Sequence, residues 1–218
     1  MSIATNLQSI KNKLPTHVTL VAVSKTKSND KIMEAYNSGH KIFGENKIQE
    51  MVSKWQALPK DIHWHMIGHV QRNKVKYMAE FVSLIHGVDS LKLLKEIDKQ
   101  AKKYNRTINC LLQIHIAEED TKFGLDKDEL DALIKSEEFN QLQNIHITGL
   151  MGMATFTDDE NQIRKEFQNL KCIYDEISDF LPNISILSMG MSGDYTIAIE
   201  EGSTMVRIGS SIFGPRNT

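Results

Sequence analysis

Apolar positions along this chain follow two alternating rhythms. Short runs rich in β-branched residues recur over its whole length. Between them lie segments whose apolar residues repeat every three or four positions. Eight of the short runs read as strands, at 19–23, 41–43, 64–67, 81–85, 109–116, 146–150, 184–187 and 204–207. The intervening stripes read as helices buried on one face. Ile48, Met51, Val52 and Trp55 form one stripe; Leu94, Ile97, Ala101 and Tyr104 form another, with Ser90 as its N-cap. The longest carries Ile163, Phe167, Leu170, Tyr174 and Ile177. Ile3, Leu7, Ile10 and Leu14 predict an extra helix before the first strand.

Strict strand-then-helix alternation calls for parallel strands joined by helical crossovers, and eight such units close into a (β/α)8 barrel of the TIM type. An open doubly wound sheet is the competing arrangement. It wants a glycine-rich turn after the first strand, where this chain has Ser24-Lys25-Thr26-Lys27. No linker, low-complexity tract or block of charge breaks the pattern, so residues 1–218 read as one domain.

Composition then narrows the function classes. The chain has 218 residues, 40% hydrophobic and 25% charged, enough for one sizeable core. Its formal charge of -2, with lysines and arginines spread out, leaves no basic footprint for a nucleic acid. Residues 1–14 lack the layout of a secretory signal, and no apolar run approaches the roughly 20 residues that cross a bilayer. Cys110 and Cys172 sit inside apolar patterns and are expected to be reduced core thiols of a cytoplasmic protein.

In a barrel, reactive groups belong at the C-terminal ends of the strands, and phosphate sites form after strands seven and eight. The first strand delivers Lys25 to that end. A lysine losing hydration there shifts toward the neutral amine, the form that attacks a carbonyl to make a Schiff base. A lone lysine at a strand end also commonly snorkels to solvent, and Lys27 lies two residues on. After the seventh strand, Ser192 and Gly193 offer a hydroxyl and an unobstructed backbone to an anion; after the eighth, Gly209 and Ser210 repeat the pair. The two clusters converge on one phosphate if the strands are neighbours. Arg207, at a strand end, suits either an ion pair or a contact to a cofactor ring nitrogen. His63, His65 and His69 have no carboxylate or cysteine to complete a metal set, so His65 reads as a pocket wall or a hydrogen-bonded core histidine. Asn46 puts an amide at the mouth or caps a helix.

These segments together resemble the pyridoxal phosphate homeostasis proteins, which share the alanine racemase N-terminal barrel. The likeness runs from the first strand almost to the C-terminus. It is carried by Val21-Ala22-Val23-Ser24-Lys25-Thr26, Phe43-Gly44-Glu45-Asn46, the stretch from His65 to Lys74, Gly149-Leu150-Met151, the stretch from Leu187 to Ser192, and that from Val206 to Gly214. Met66 and Val70 stand where other apolar residues are common. The resemblance implies pyridoxal 5'-phosphate (PLP) as cofactor, held as a Schiff base on Lys25. It implies a phosphate held by Ser192, Gly193, Gly209 and Ser210, Arg207 at the pyridine nitrogen, and a ring pocket lined by Asn46, His65 and Met151.

An arginine at that nitrogen disfavours its protonation and weakens the ring as an electron sink. Transaminase chemistry is therefore a poor fit; racemase chemistry tolerates that arrangement but needs a second acid-base group opposite the lysine. The racemases of this fold take it from a tyrosine of a further domain of a partner subunit, whereas this chain ends soon after Arg207 and none of Tyr36, Tyr77, Tyr104, Tyr174 or Tyr195 falls opposite Lys25 by sequence. The expectation is therefore a monomeric PLP carrier in intracellular vitamin B6 homeostasis, without robust catalysis, serving PLP-dependent apo-enzymes. A small PLP-dependent racemase is the alternative. A Schiff-base aldolase acting on a sugar phosphate is a remote third.

Overall fold

Both rhythms are realised in a closed barrel. The computed structural model describes residues 2–119, 123–181 and 183–215. Its strands are β1 (Thr19–Val23), β2 (Ile42–Glu45), β3 (His63–Met66), β4 (Leu84–Val88), β5 (Ile108–Gln113), β6 (Ile145–Met151), β7 (Ile186–Ser188) and β8 (Met205–Ile208). All neighbours pair in parallel and in chain order, and β8 returns to β1 with Val21 opposite Arg207. Around them run α1 (Ile3–Lys11), α2 (Asn29–Asn37), α3 (Ile48–Ala57), a 3₁₀ segment (Arg72–Tyr77), α4 (Leu91–Lys103), α5 (Lys127–Ile134), α6 (Glu137–Asn140), α7 (Glu160–Ser178), α8 (Tyr195–Glu200) and α9 (Ser210–Phe213). α1 is the extra helix before the first strand, buried through Ile3, Leu7 and Ile10.

The period of two along each strand divides the core. Outward-facing residues such as Ala22, Phe43, Trp64 and Leu112 pack under the helices with Met51, Leu94 and Phe167. Inward-facing Val21, Leu84, Leu111, Met151 and Met205 fill the barrel. Side-chain caps open several helices: at α4, which a stripe predicts, Ser90 Oγ accepts the Leu93 N–H, and at α5, which no stripe marked, Asp126 and Glu129 form a capping box.

Two irregularities aim residues inward. In β6, Cys110 pairs with Ile147 but Leu111 pairs with Gly149, so Thr148 is an extra residue. The bulge inverts the alternation and turns Met151 into the barrel, although Ile147 faces out. Only glycine fits at 149, because a Cβ there would lie 1.7 Å from the Ile186 carbonyl oxygen. In β4, Ile85 and Val88 pair with Cys110 and Leu112, so three residues of spacing face two and the strand bulges at His86-Gly87.

Several expectations need correcting. The fourth strand is Leu84–Val88, not 81–85: Phe81 leaves the sheet to stack on Trp55, ring centres 4.4 Å apart. Cys172 is exposed on α7, where Ile173 takes the inner position; Cys110 alone is a core thiol. Tyr104 lies past the end of α4 and is exposed, and Tyr195 opens α8, which α9 follows.

Candidate functional site

The end of the barrel where the strands finish gathers three sets of groups. The first is the turn that carries Lys25. Continuing β1's alternation places Lys25 on the same inward side as Val21, and the residue is half-buried. The Lys27 N–H donates to the Ser24 carbonyl at 3.0 Å, so Lys25 and Thr26 are the central residues of a tight turn. Thr26 has φ +63°, a left-handed conformation that costs a β-branched residue about 1–3 kcal/mol and persists only where its surroundings enforce it. Lys27 donates through Nζ to the Gly214 and Pro215 carbonyls at 3.1 and 2.9 Å, tying the turn to the segment after α9.

The second set is a buried hydrogen-bonded chain across the barrel. His65 Nδ1 lies 3.1 Å from His86 Nε2, and His86 Nδ1 lies 3.0 Å from Ser188 Oγ. Arg207 donates from Nη1 to Ser188 Oγ at 2.6 Å and from Nη2 to the Gly152 carbonyl at 3.0 Å. All four side chains are buried. Burial, followed by repulsion from neighbouring His63 and His40, lowers the His65 pKa to about 3. His86 is held well below the usual histidine value by burial first, then by His65 and Arg207. Burial lowers Arg207 only to about 10, so among these four hydrogen-bonded side chains it remains the one cation near neutral pH. With Arg207 an obligatory donor, one proton order satisfies every link. Ser188 accepts from Arg207 and donates to His86 Nδ1, and His86 Nε2–H donates to His65 Nδ1. Charge and dipole then point from Arg207 toward the mouth side chain of His65.

The third set joins the ends of β7 and β8. The Gly209 N–H donates to Ser192 Oγ at 3.2 Å, which brings Ser192-Gly193 and Gly209-Ser210 together. α8 and α9 both begin here, so first-turn N–H groups face this end. Gly190, at φ +97°, lets the chain turn under α8: a Cβ there would meet the Ala198 Cβ at 2.7 Å. A Cβ at Gly209 would press on Val23 at 3.2 Å, so the cluster lies directly against β1 just before Lys25. A half-buried lysine, a buried cation and a glycine-serine cradle on adjacent strand ends match the aldehyde, ring nitrogen and phosphate of PLP; the donor chemistry fits that group.

Of the expected ring-pocket residues, His65 joins the buried chain and Met151 is buried in the interior cluster. Asn46 is half-buried at the mouth, where Gly68 approaches its carbonyl so closely that a Cβ would sit 2.4 Å away. Sequence reasoning missed His86 and Ser188, which link His65 to Arg207, and the cluster of Ser24, Glu45, Glu50 and Lys54 behind the Lys25 turn. Ser24, Glu45, His86 and Ser188 are polar residues at or just beyond the end of an apolar run, a signal that could have flagged them; Glu50 and Lys54 lie within α3 and carry no such signal. Met153, on the same side as Met151 and half-buried, was also passed over. His69 takes no part in the chain; its ring stacks on Phe123 and lies 3.3 Å from Asp89.

A closed (β/α)8 barrel with this mouth defines a protein of the alanine racemase N-terminal class, and the family model for "Alanine racemase, N-terminal domain" matches residues 1–217. The Pyridoxal phosphate homeostasis protein of Aquifex aeolicus is 40% identical over 199 residues, covering 90% of this chain and 86% of its own length. That of Vibrio alginolyticus is 40% identical over 211 residues, covering 94% and 89%. This chain belongs to the pyridoxal phosphate homeostasis protein family. Among solved structures, PipY of Synechococcus elongatus with PLP bound is 34% identical with a TM-score of 0.89, covering 98% of this chain and all of that one. An alanine racemase of Clostridium difficile shares the fold, with a TM-score of 0.84 at 17% identity, and this chain covers 57% of it.

Proposed function

We propose that this chain binds pyridoxal 5'-phosphate at the barrel mouth and holds it, as a Schiff base on Lys25, for intracellular vitamin B6 homeostasis, without robust catalysis of its own. The observation that carries the reading is convergence: the Lys25 turn, Arg207 and the Ser192–Gly209 contact occupy β1, β8 and β7, three consecutive strand ends of one closed barrel. Family membership and the PLP-bound PipY structure support it.

When bound, the cofactor supplies an aldehyde that condenses with an amine, forming a C=N bond and releasing water. Lys25 provides that amine. Ser192, Gly193, Gly209 and Ser210 hold the phosphate with hydroxyl and backbone N–H donors at the starts of α8 and α9. Arg207, locked by Ser188 and the Gly152 carbonyl, presents a cation to the pyridine nitrogen and keeps a proton off it. This withholds the strongest electron-sink state and makes transaminase chemistry a poor fit. His65, kept neutral by burial, walls the pocket with Asn46 and the methionines at 151 and 153.

We extend the reading to a monomer working in the cytoplasm and handing cofactor to PLP-dependent apo-enzymes. In support, no helix among the described residues is long and apolar enough to cross a membrane. The test is a spectroscopic titration of cofactor-free protein with PLP. A saturable visible band, absent in Lys25→Ala, is expected; a protein that stays colourless contradicts the reading. Proton exchange at the α-carbon of added amino acids in deuterated water is expected to stay near background, and Lys25-dependent exchange at enzymatic rates would mark a racemase.

A further inference from the structure

Behind the Lys25 turn, between β1, β2 and α3, lies a charged cluster that the cofactor contacts do not use. Lys54, on α3 and 5% exposed, directs Nζ to three acceptors: the Ser24 carbonyl at 2.8 Å, Glu45 Oε1 at 2.8 Å and Glu50 Oε1 at 2.7 Å. An ammonium has three N–H bonds, so its donors are all engaged. Glu45 Oε1 also accepts the Ser24 hydroxyl at 2.5 Å, and Glu50 Oε1 accepts the Thr26 backbone N–H at 2.6 Å. The Glu45 side chain is fully buried, its Oε2 has no hydrogen-bond partner, and burial, against the pull of Lys54, raises its pKa.

The geometry is notable for where the bonds land. They grip the backbone on both flanks of Lys25, at the Ser24 carbonyl and at the Thr26 N–H, and leave Lys25 between them. The gripped turn is also the strained one, since Thr26 sits at φ +63°. A buried ion pair beside a neutral strand end offers little net stability over an apolar replacement. Its value lies in fixing geometry, because a strained turn stays in place only when its surroundings over-determine it.

We infer that Glu50 and Lys54, braced by Glu45, are positioning residues for Lys25: a clamp on α3 that holds the Ser24–Lys27 turn in the geometry presenting the Lys25 amine to the barrel mouth. The inference rests on Lys25 being the cofactor lysine, as proposed above. The clamp acts at a distance from the cofactor, through the backbone alone. It governs how fast and how tightly Lys25 captures an aldehyde, and it leaves the phosphate cradle and Arg207 untouched.

The test uses Glu50→Gln, Lys54→Met, Thr26→Gly and the double variant Glu50→Gln/Thr26→Gly in the full chain. Two quantities are read: amide hydrogen exchange at residues 25–27 in cofactor-free protein, and the rate and affinity of PLP capture by absorbance and borohydride trapping. Glu50→Gln is expected to keep its thermal melt, to speed exchange in the turn by about tenfold or more, and to slow and weaken capture by a similar factor. Adding Thr26→Gly removes the strain that the clamp opposes, and is expected to restore capture by about threefold or more, a rescue that a general folding defect does not give. Lys54→Met is expected to act in the same direction and more strongly. Capture and exchange within about twofold of wild type in Glu50→Gln overturn the clamp. Slower capture with unchanged turn exchange overturns it as well. If wild-type protein traps no PLP on Lys25, the cofactor reading fails, while faster turn exchange in Glu50→Gln still establishes the clamp.

Discussion

Replacing Ser188 with alanine removes one oxygen from the buried chain that crosses the barrel. That oxygen accepts from Arg207 Nη1 at 2.6 Å and pairs with His86 Nδ1 at 3.0 Å. Arg207 keeps its bond to the Gly152 carbonyl, so it loses one charge-assisted bond, while His86 Nδ1 loses the one partner it has among the described residues. A hydrogen bond to a charged group contributes about 1.5–3 kcal/mol net, and stranding a buried polar nitrogen costs about 1–3 kcal/mol. Taking the lower part of each range gives a destabilisation of about 3 kcal/mol. For a chain of this size that corresponds to a fall in Tm of roughly 6–12 °C. Differential scanning calorimetry of cofactor-free protein measures it. A double-mutant cycle with His86→Phe isolates the shared bond, with an expected coupling of about 1–2 kcal/mol. A Tm within about 2 °C of wild type for Ser188→Ala would refute the reasoning, because it would mean that the chain carries no strain of satisfaction and that Arg207 is held by other groups.

Other outcomes follow from the same geometry. Stability should fall as pH drops below about 6.5: His40, lowered to about 4 chiefly by burial, His65, lowered to about 3, and His86 all bind protons in the unfolded chain before the folded one. The loss runs through the window between 6.5 and the lowered values, at about 2 kcal/mol per histidine by pH 5, with Glu45 working against it because its carboxyl is raised; urea melts at pH 7.5 and 5 measure the difference. Gly149→Ala should give insoluble or unfolded protein, since its methyl has no room beside Ile186 and the β6–β7 pairing must open; a soluble, cooperatively melting variant would contradict the assigned bulge. Exposed Cys172 should react with a thiol reagent in native protein, whereas Cys110, with its thiol pushed up by burial, should react only after unfolding.

The barrel was legible in the sequence because parallel strands covered by helices are nearly continuous apolar runs, and the helical stripes keep their own period. All eight runs correspond to strands, and β1 agrees at both ends. Where the reading slipped, it slipped mostly toward the mouth. β2 continues to Glu45, β4 to Val88 through His86, β7 to Ser188 and β8 to Ile208. An apolar run stops where polar side chains begin, but a barrel strand does not, and the chemistry sits on those last residues. For the same reason Lys25 and Ser192 were visible as punctuation after runs and Arg207 as the end of one, while His86 and Ser188 were lost. Bulges are a second blind spot: nothing in the spacing of Ile147 and Met151 says that they face opposite sides, because the extra residue at Thr148 is decided by pairing with β5. Glu50 and Lys54 looked like ordinary helix-surface charge until the fold laid α3 against the Lys25 turn and against Glu45 at the end of β2.

The most direct test of the account is the site of covalent attachment. Purified protein is incubated with PLP, reduced with borohydride, digested and mapped by mass spectrometry. The account predicts one phosphopyridoxyl adduct, on Lys25, with Lys27 and Lys54 unmodified and no adduct on these peptides in Lys25→Ala. Stoichiometric labelling of another lysine, with Lys25 unmodified, would contradict it.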